Sequence, residues 1–204
     1  MSLKAAILAT ISCAAEGEVF SADDFQQNPS RSAISSALTA LCRERYLLRI
    51  DRGLYVRLLT ASSGCRAPAV DSVLQSLMRR TGEQIVFTGG AAAHRLGLTN
   101  QVPAIEIRLT SGVSRVIALG KLEIQLRRVE SPWQLVLGDC LAGDAARALG
   151  WLGPESMTYG LTALKSRLPP DQWDAFVQHG DDFPAWMGAA LERFLGGFLT
   201  GYDM

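Results

Sequence analysis

Between residues 30 and 57 a helical stripe runs almost directly into a β-hairpin, and this succession restricts the fold more than any other feature. Ile34, Leu38 and Leu41 recur at helical spacing with Ala33, Ala37 and Ala40 beside them, so they form one buried face. The β-rich runs on either side of Asp51-Arg52-Gly53 call for a tight turn in which Gly53 takes a positive φ. Upstream, Leu3, Ile7, Leu8 and Ile11 keep helical spacing within a first helix over 3–15, ended by Glu16-Gly17-Glu18. Ser21 before Ala22-Asp23-Asp24-Phe25 reads as the N-cap of a short second helix, with acids near its positive end. The third helix starts either with Asn28 as cap and Pro29 at its first position or with Ser30 as cap, and runs to about Arg45. Three helices followed by a two-stranded wing predict a winged helix-turn-helix over residues 1–60.

The outer face of that third helix carries Ser32, Ser35, Ser36, Thr39 and Arg43, with Arg31 in its first turn. No glutamate precedes Glu44, whereas ordinary exposed helices mix in Glu and Lys because these are good helix formers that pair with each other. A face of small hydroxyls and arginine can approach a polyanion closely; the alternative is a serine-rich exposed helix with no partner. Arg49, Arg52 and Arg57 project from the hairpin. The expected DNA-binding set is therefore Arg31, Ser32, Ser35, Ser36, Thr39, Arg43, Arg49, Arg52 and Arg57, the helix reading the major groove and the wing gripping the backbone of double-stranded DNA.

Charge supports a divided molecule. The 204 residues are formally neutral, yet 1–130 hold sixteen basic side chains against eleven acidic, and 131–204 hold four against nine. A basic block joined to an acidic block is consistent with a nucleic-acid face on one part and another role for the other, or with two merely solvated faces. At 48% apolar and 20% charged residues, disorder is excluded, and the length needs no disulfide or metal staple. Cys13, Cys42, Cys65 and Cys140 are scattered and the histidines are only His94 and His179, so no metal site and no cofactor is expected. Reduced thiols in a cytoplasmic protein follow. No run of apolar residues is long enough to span a membrane. The run Ala5–Ala15 after Lys4 resembles a short signal peptide, but its single lysine and helical spacing favour a first helix.

Ala61 to Pro68 is small and polar and reads as a linker. Beyond it, 67–204 is expected to form a mixed α/β domain with a helical tail, making the whole chain α+β. Its elements are a helix at 69–81, a strand at 84–88, a short helix at 91–96 and strands at 104–110, 114–118 and 122–129. Helices at 134–150, 154–168, 171–179 and 184–199 complete it. Alternation along Ile105, Ile107 and Leu109 turns Arg108 toward solvent. Several of Arg95, Arg108, Arg115, Lys121, Arg127 and Arg128 are expected to form one exposed basic patch, or else solvated strand edges. Dinucleotide, P-loop and serine-hydrolase motifs are absent. His94 reads as a structural histidine before a catalytic base, and Glu106 and Glu123 are the only strand carboxylates for a metal-dependent nuclease. No catalysis is expected.

Ser30 to Leu41 with Leu48 to Arg57 resemble the N-terminal winged helix of the AbiEi-type antitoxins of type IV toxin–antitoxin, or abortive-infection, systems. Phe87-Thr88-Gly89-Gly90-Ala91-Ala92-Ala93-His94-Arg95-Leu96-Gly97-Leu98-Thr99-Asn100-Gln101-Val102-Pro103 and Leu109 to Arg115 resemble the core of the same family. Asp182-Phe183-Pro184-Ala185-Trp186-Met187 is similar to its Leu-Pro-x-Trp-Leu pattern. Tyr46 stands where relatives tend to have glycine, and Phe183 stands for leucine. The resemblance implies a repressor of its own operon that counteracts a nucleotidyltransferase toxin encoded beside it. A winged-helix regulator with a ligand-sensing second domain is the alternative, and a nucleic-acid-processing enzyme a further one.

Overall fold

A computed structural model describes residues 2–25, 30–61 and 64–199. In chain order it forms α1 (Leu3–Ser12), β1 (Val19–Phe20), a 3-10 turn (Ala22–Phe25), α2 (Arg31–Arg43), β2 (Leu47–Asp51) and β3 (Leu54–Arg57). Then come β4 (Leu59–Ala61), β5 (Gly64–Arg66), α3 (Val70–Thr81), β6 (Ile85–Phe87), α4 (Gly89–Arg95), β7 (Glu106–Thr110), β8 (Arg115–Leu119) and β9 (Leu122–Arg128). After a 3-10 turn (Pro132–Leu135) the chain is helical through α5 (Leu141–Leu152), α6 (Met157–Arg167), α7 (Pro170–Gln178) and α8 (Ala185–Leu199). The chain is thus α+β, as expected. No described helix is long and apolar enough to cross a membrane.

Two units partition these elements: residues 1–83 with 115–125, and residues 84–114 with 126–204. The expected division near residues 60–67 is displaced, because α3 is bound into the first unit. Its Ser76 hydroxyl accepts the buried Val19 N–H at 2.9 Å, and its Arg80 reaches Asp24, Ser21 and the Val19 carbonyl. The expected linker also departs from expectation. Its first half pairs back on the residues before it as a short hairpin, Leu59 opposite Arg66 and Ala61 opposite Gly64. Three residues a side are too few to show an alternation.

In the first unit, Ile34, Leu38 and Leu41 of α2 are fully buried with Ile7 and Ile11 of α1. Each such side chain contributes about 1.5–3 kcal/mol of burial. Ser30 is the cap: its hydroxyl accepts the Ala33 N–H at 3.2 Å, while Asn28 and Pro29 lie outside the described residues. β3 pairs antiparallel with both β1 and β2, placing Val56 opposite Val19 and Leu48, with an irregularity between Arg49 and Asp51 that accommodates buried Ile50. α2 closes in a Schellman motif, Tyr46 N–H to the Leu41 carbonyl at 3.0 Å and Arg45 N–H to the Cys42 carbonyl at 3.1 Å. The left-handed residue of that motif is Arg45, φ 63°, so the position that favours glycine precedes Tyr46.

In the second unit, α4 presents Gly89, Gly90, Ala92 and Ala93 to α5 so closely that a Cβ on Gly89 would lie 2.6 Å from the Arg147 carbonyl oxygen. Buried residues of α4 to α8, among them Leu149, Leu161, Phe176 and Met187, make one core. The helix expected over 134–150 is interrupted: Gly138 takes φ 62°, and Cys140 restarts the chain as the N-cap of α5. β6 pairs antiparallel with β7, Phe87 opposite Arg108. β7 is reversed from its expected facing. Arg108 and Thr110 are buried, whereas Ile107 and Leu109 are half-buried and Ile105 is exposed.

Candidate nucleic-acid interface

Because Ile34, Leu38 and Leu41 fix the rotation of α2, the hydroxyl face turns outward. Arg31, Ser32, Ser35, Ser36, Thr39 and Arg43 are all exposed. Thr39 Oγ1 donates to the Ser35 carbonyl at 2.8 Å, and Arg31 makes a long, exposed ion pair with Asp23 at 3.4 Å. Neither ties up much energy, since exposed pairs contribute about 0–1 kcal/mol. At the back of the helix, burial raises the Cys42 thiol above its usual range, opposed by the nearby Arg49 charge.

The three hairpin arginines divide into two roles. Arg49 and Arg52 are exposed at the turn, Arg49 Nε donating to the Asp51 carbonyl and the Arg52 backbone N–H donating to Asp51 Oδ1. Arg57 is engaged within the fold. Its Nη1 donates to the Ser12 carbonyl at 3.0 Å and its Nη2 to the Ala14 carbonyl at 3.1 Å, placing a cation on the C-terminal end of α1. Its Nε is buried without a hydrogen-bond partner among the described residues. The structure therefore gives Arg57 a fastening role within the fold.

A cleft of about 280 Å³ joins the two exposed groups, lined by Arg31 and Ser35 of α2, Arg52 and Gly53 of the turn, and Arg80 of α3. Arg80 was not marked by the sequence pattern. It makes two contacts of 3.0 and 2.9 Å to the Asp24 carboxylate and donates to Ser21, tying α3 to the 3-10 turn beside the cleft. The available signal was the Arg79-Arg80 pair ending its helix. Glu16 adds a second tie, accepting the Ala69 N–H at 3.0 Å, and that bond and then Arg66 hold its carboxyl below the usual range.

The six basic residues considered for the patch fall in both units: Arg115 and Lys121 belong to the first, the other four to the second. Arg115 is largely buried between two carboxylates, bonding Glu83 through both terminal nitrogens and Asp51 Oδ2 through Nε at 3.3 Å. Arg108 is 5% exposed, against the expectation of a solvent-facing side chain. Its guanidinium lies 3.5 Å from the Phe87 ring centre and 3.0 Å from Glu106. The reason is register: Phe87 and Arg108 are directly opposed on neighbouring strands and so share a face. Arg127, Arg128 and Lys121 are exposed, as is Arg95.

Arg95 also lies over Phe87, 4.7 Å from the ring centre, and donates through Nη1 to Asp144 at 3.1 Å. Asp144 is fully buried and pairs at 2.8 Å with Arg147, whose other terminal nitrogen holds the Gln134 and Gly138 carbonyls. Partial burial first, then the Asp144 charge, pushes the nearby Asp139 carboxyl above its usual range. His94 is exposed beside Arg95, and His179 contacts Asp182 at 2.7 Å. Among the described residues no group of three His, Cys, Asp or Glu could hold a metal ion.

No curated protein matches the sequence. Among solved structures, the chain is similar to the crystal structure of the RV2827C protein from Mycobacterium tuberculosis. The TM-score is 0.50 at 13% identity, over 95% of this chain and 76% of that one, a likeness of fold. Residues 6–160 match the family of unknown function DUF6088, and over that majority of its length the chain belongs to this family.

Proposed function

We propose that the first unit is a winged helix-turn-helix that binds duplex DNA, and that the chain represses its own operon and acts as an antitoxin against a neighbouring nucleotidyltransferase toxin. One observation carries the DNA reading: Ser32, Ser35, Ser36 and Thr39, flanked by Arg31 and Arg43, lie exposed on one acid-free face of α2 that shares a cleft with Arg52. Short hydroxyls can donate to or accept from base edges, and arginines neutralise phosphates. In this reading α2 enters the major groove while Arg49 and Arg52 hold the backbone. The order of α1, the 3-10 turn, α2 and the β2–β3 hairpin supports it. The antitoxin role is supported by the resemblance of 87–103 and 109–115 to AbiEi-type antitoxins, and the site of action is then the cytoplasm. No catalysis is assigned to the chain. A second reading, a regulator with a ligand-sensing second domain, is favoured by the cavity at Arg95 and Arg108.

The test is a titration of the chain's own promoter duplex at several salt concentrations. Arg52→Ala should flatten the salt slope by about one unit and weaken all sequences alike. Exchanging Ser32, Ser35, Ser36 and Thr39 together should change the preferred site, because base contacts carry the code. An unchanged slope removes the hairpin from the interface, and an unchanged preference removes α2 as the reader. Growth rescue beside the adjacent toxin gene tests the antitoxin half; absence of rescue leaves repression alone.

A further inference from the structure

The second unit contains an open cavity of about 480 Å³, inside the roughly 300–1,000 Å³ range of small-molecule sites. Its lining is both charged, through Arg95, Arg108 and Glu106, and apolar, through Val102 at 71% and Ile105 at 53% exposure and Ile107. One feature of this arrangement is costly without an occupant: Val102 and Ile105, ahead of β7, leave apolar side chains facing water, while Arg108 is buried against Glu106 and the Phe87 ring. Among the described residues Arg95 makes one hydrogen bond, through Nη1 to Asp144, and half its side chain stays exposed at the cavity.

The charge count sets the sign of the ligand. Of the charged groups that line the cavity, Arg95 and Arg108 are cations and one carboxylate, Glu106, accompanies them. An excess of positive charge remains, and the planar fork of Arg95 suits a two-oxygen anion.

We propose that this cavity binds a small organic acid, its carboxylate or phosphate monoester on the guanidiniums of Arg95 and Arg108 and its flat apolar body over Val102, Ile105 and Ile107. The proposal goes beyond DNA reading and does not depend on it, since every residue invoked lies in the second unit.

The experiment is calorimetric titration of the full chain with naphthoate, naphthyl phosphate and the neutral naphthamide. At least one of the two anions should saturate one site and bind about tenfold or more tightly than the amide; which anion does so separates a carboxylate from a phosphate ligand. Arg95→Gln and Ile105→Glu should each weaken that binding by about tenfold or more. Ile105→Glu alters an exposed side chain, so its thermal midpoint should stay that of the parent and its effect cannot be ascribed to unfolding. The proposal falls if neither anion saturates, if the amide binds as well, or if both variants bind like the parent chain. DNA affinity is measured on the same samples, so loss of either activity is read separately.

Discussion

Arginine serves opposite ends on α2 with the hairpin turn and in the core of the second unit. On α2 and the hairpin turn, Arg31, Arg43, Arg49 and Arg52 stand in solvent, with at most a weak surface pair or a local carbonyl contact. In the second unit, Arg108 and Arg147 are buried, held by carboxylates, carbonyls and the face of an aromatic ring. The first group remains available to an external polyanion at little cost to the fold. The second would expose or orphan charged partners if it moved. A count of basic residues therefore says little about nucleic-acid binding until each guanidinium's nearest carboxylate is known.

The largest test of this contrast is Asp144→Ala. It leaves Arg147 buried without its carboxylate and should destabilise the second unit by about 3–5 kcal/mol in urea denaturation. A loss under about 1 kcal/mol would mean that the Gln134 and Gly138 carbonyls suffice, and would weaken the distinction between the two arginine sets. Next comes Arg57→Ala, which tests whether one hairpin arginine behaves like those of the interior. Losing its bonds to the end of α1 should cost about 1–3 kcal/mol, while the salt slope of DNA binding stays that of the parent. The reverse pattern, full stability with a flattened slope, would return Arg57 to the DNA-contacting set.

The smallest effect sharpens the electrostatics around Asp144. The folded-state pKa of Asp139 is raised above its unfolded value. Its contribution is therefore fully favourable below the unfolded pKa and is lost as pH rises through the folded one. At neutral pH the ionised carboxyl is a liability, lessened by its access to solvent. Asp139→Asn should add a few tenths of a kcal/mol (about 0.3) at neutral pH and nothing in acid, compared by thermal melts at the two pH values. A destabilised neutral variant would show that the carboxylate is favourably engaged.

What could be read from sequence follows the range of the forces involved. The α2 stripe, its Ser30 cap and the Gly53 turn are local, and periodicity exposed them along with the outward hydroxyl face. Arg108 was misdirected for the opposite reason. Ile105, Ile107 and Leu109 alternate as a strand facing a core should, but the register that sets Phe87 against Arg108 is decided across twenty residues of chain. Arg57 shows the same limit. It alternates correctly within its strand, yet the carbonyls it satisfies belong to the end of α1. Even the division of the chain escaped composition, since Ser76 and Arg80 bind α3 to β1 and the 3-10 turn past a small, polar stretch that mimics a linker.

The glycine end of α4 has a dynamic consequence. With Gly89 seated against the Arg147 carbonyl and Gly90 against Trp151, the helix packs on α5 with no room for a side chain at Gly89 and little at Gly90. His94 and Arg95, at its other end, are therefore carried on a closely packed wall of the cavity. Adjustment to a molecule that enters or leaves is expected of the irregular segment 99–105, which contributes Val102 and Ile105 to the same lining. Motions of such a segment belong to the nanosecond-to-microsecond regime of loops, well separated from the slower rearrangement of packed helices.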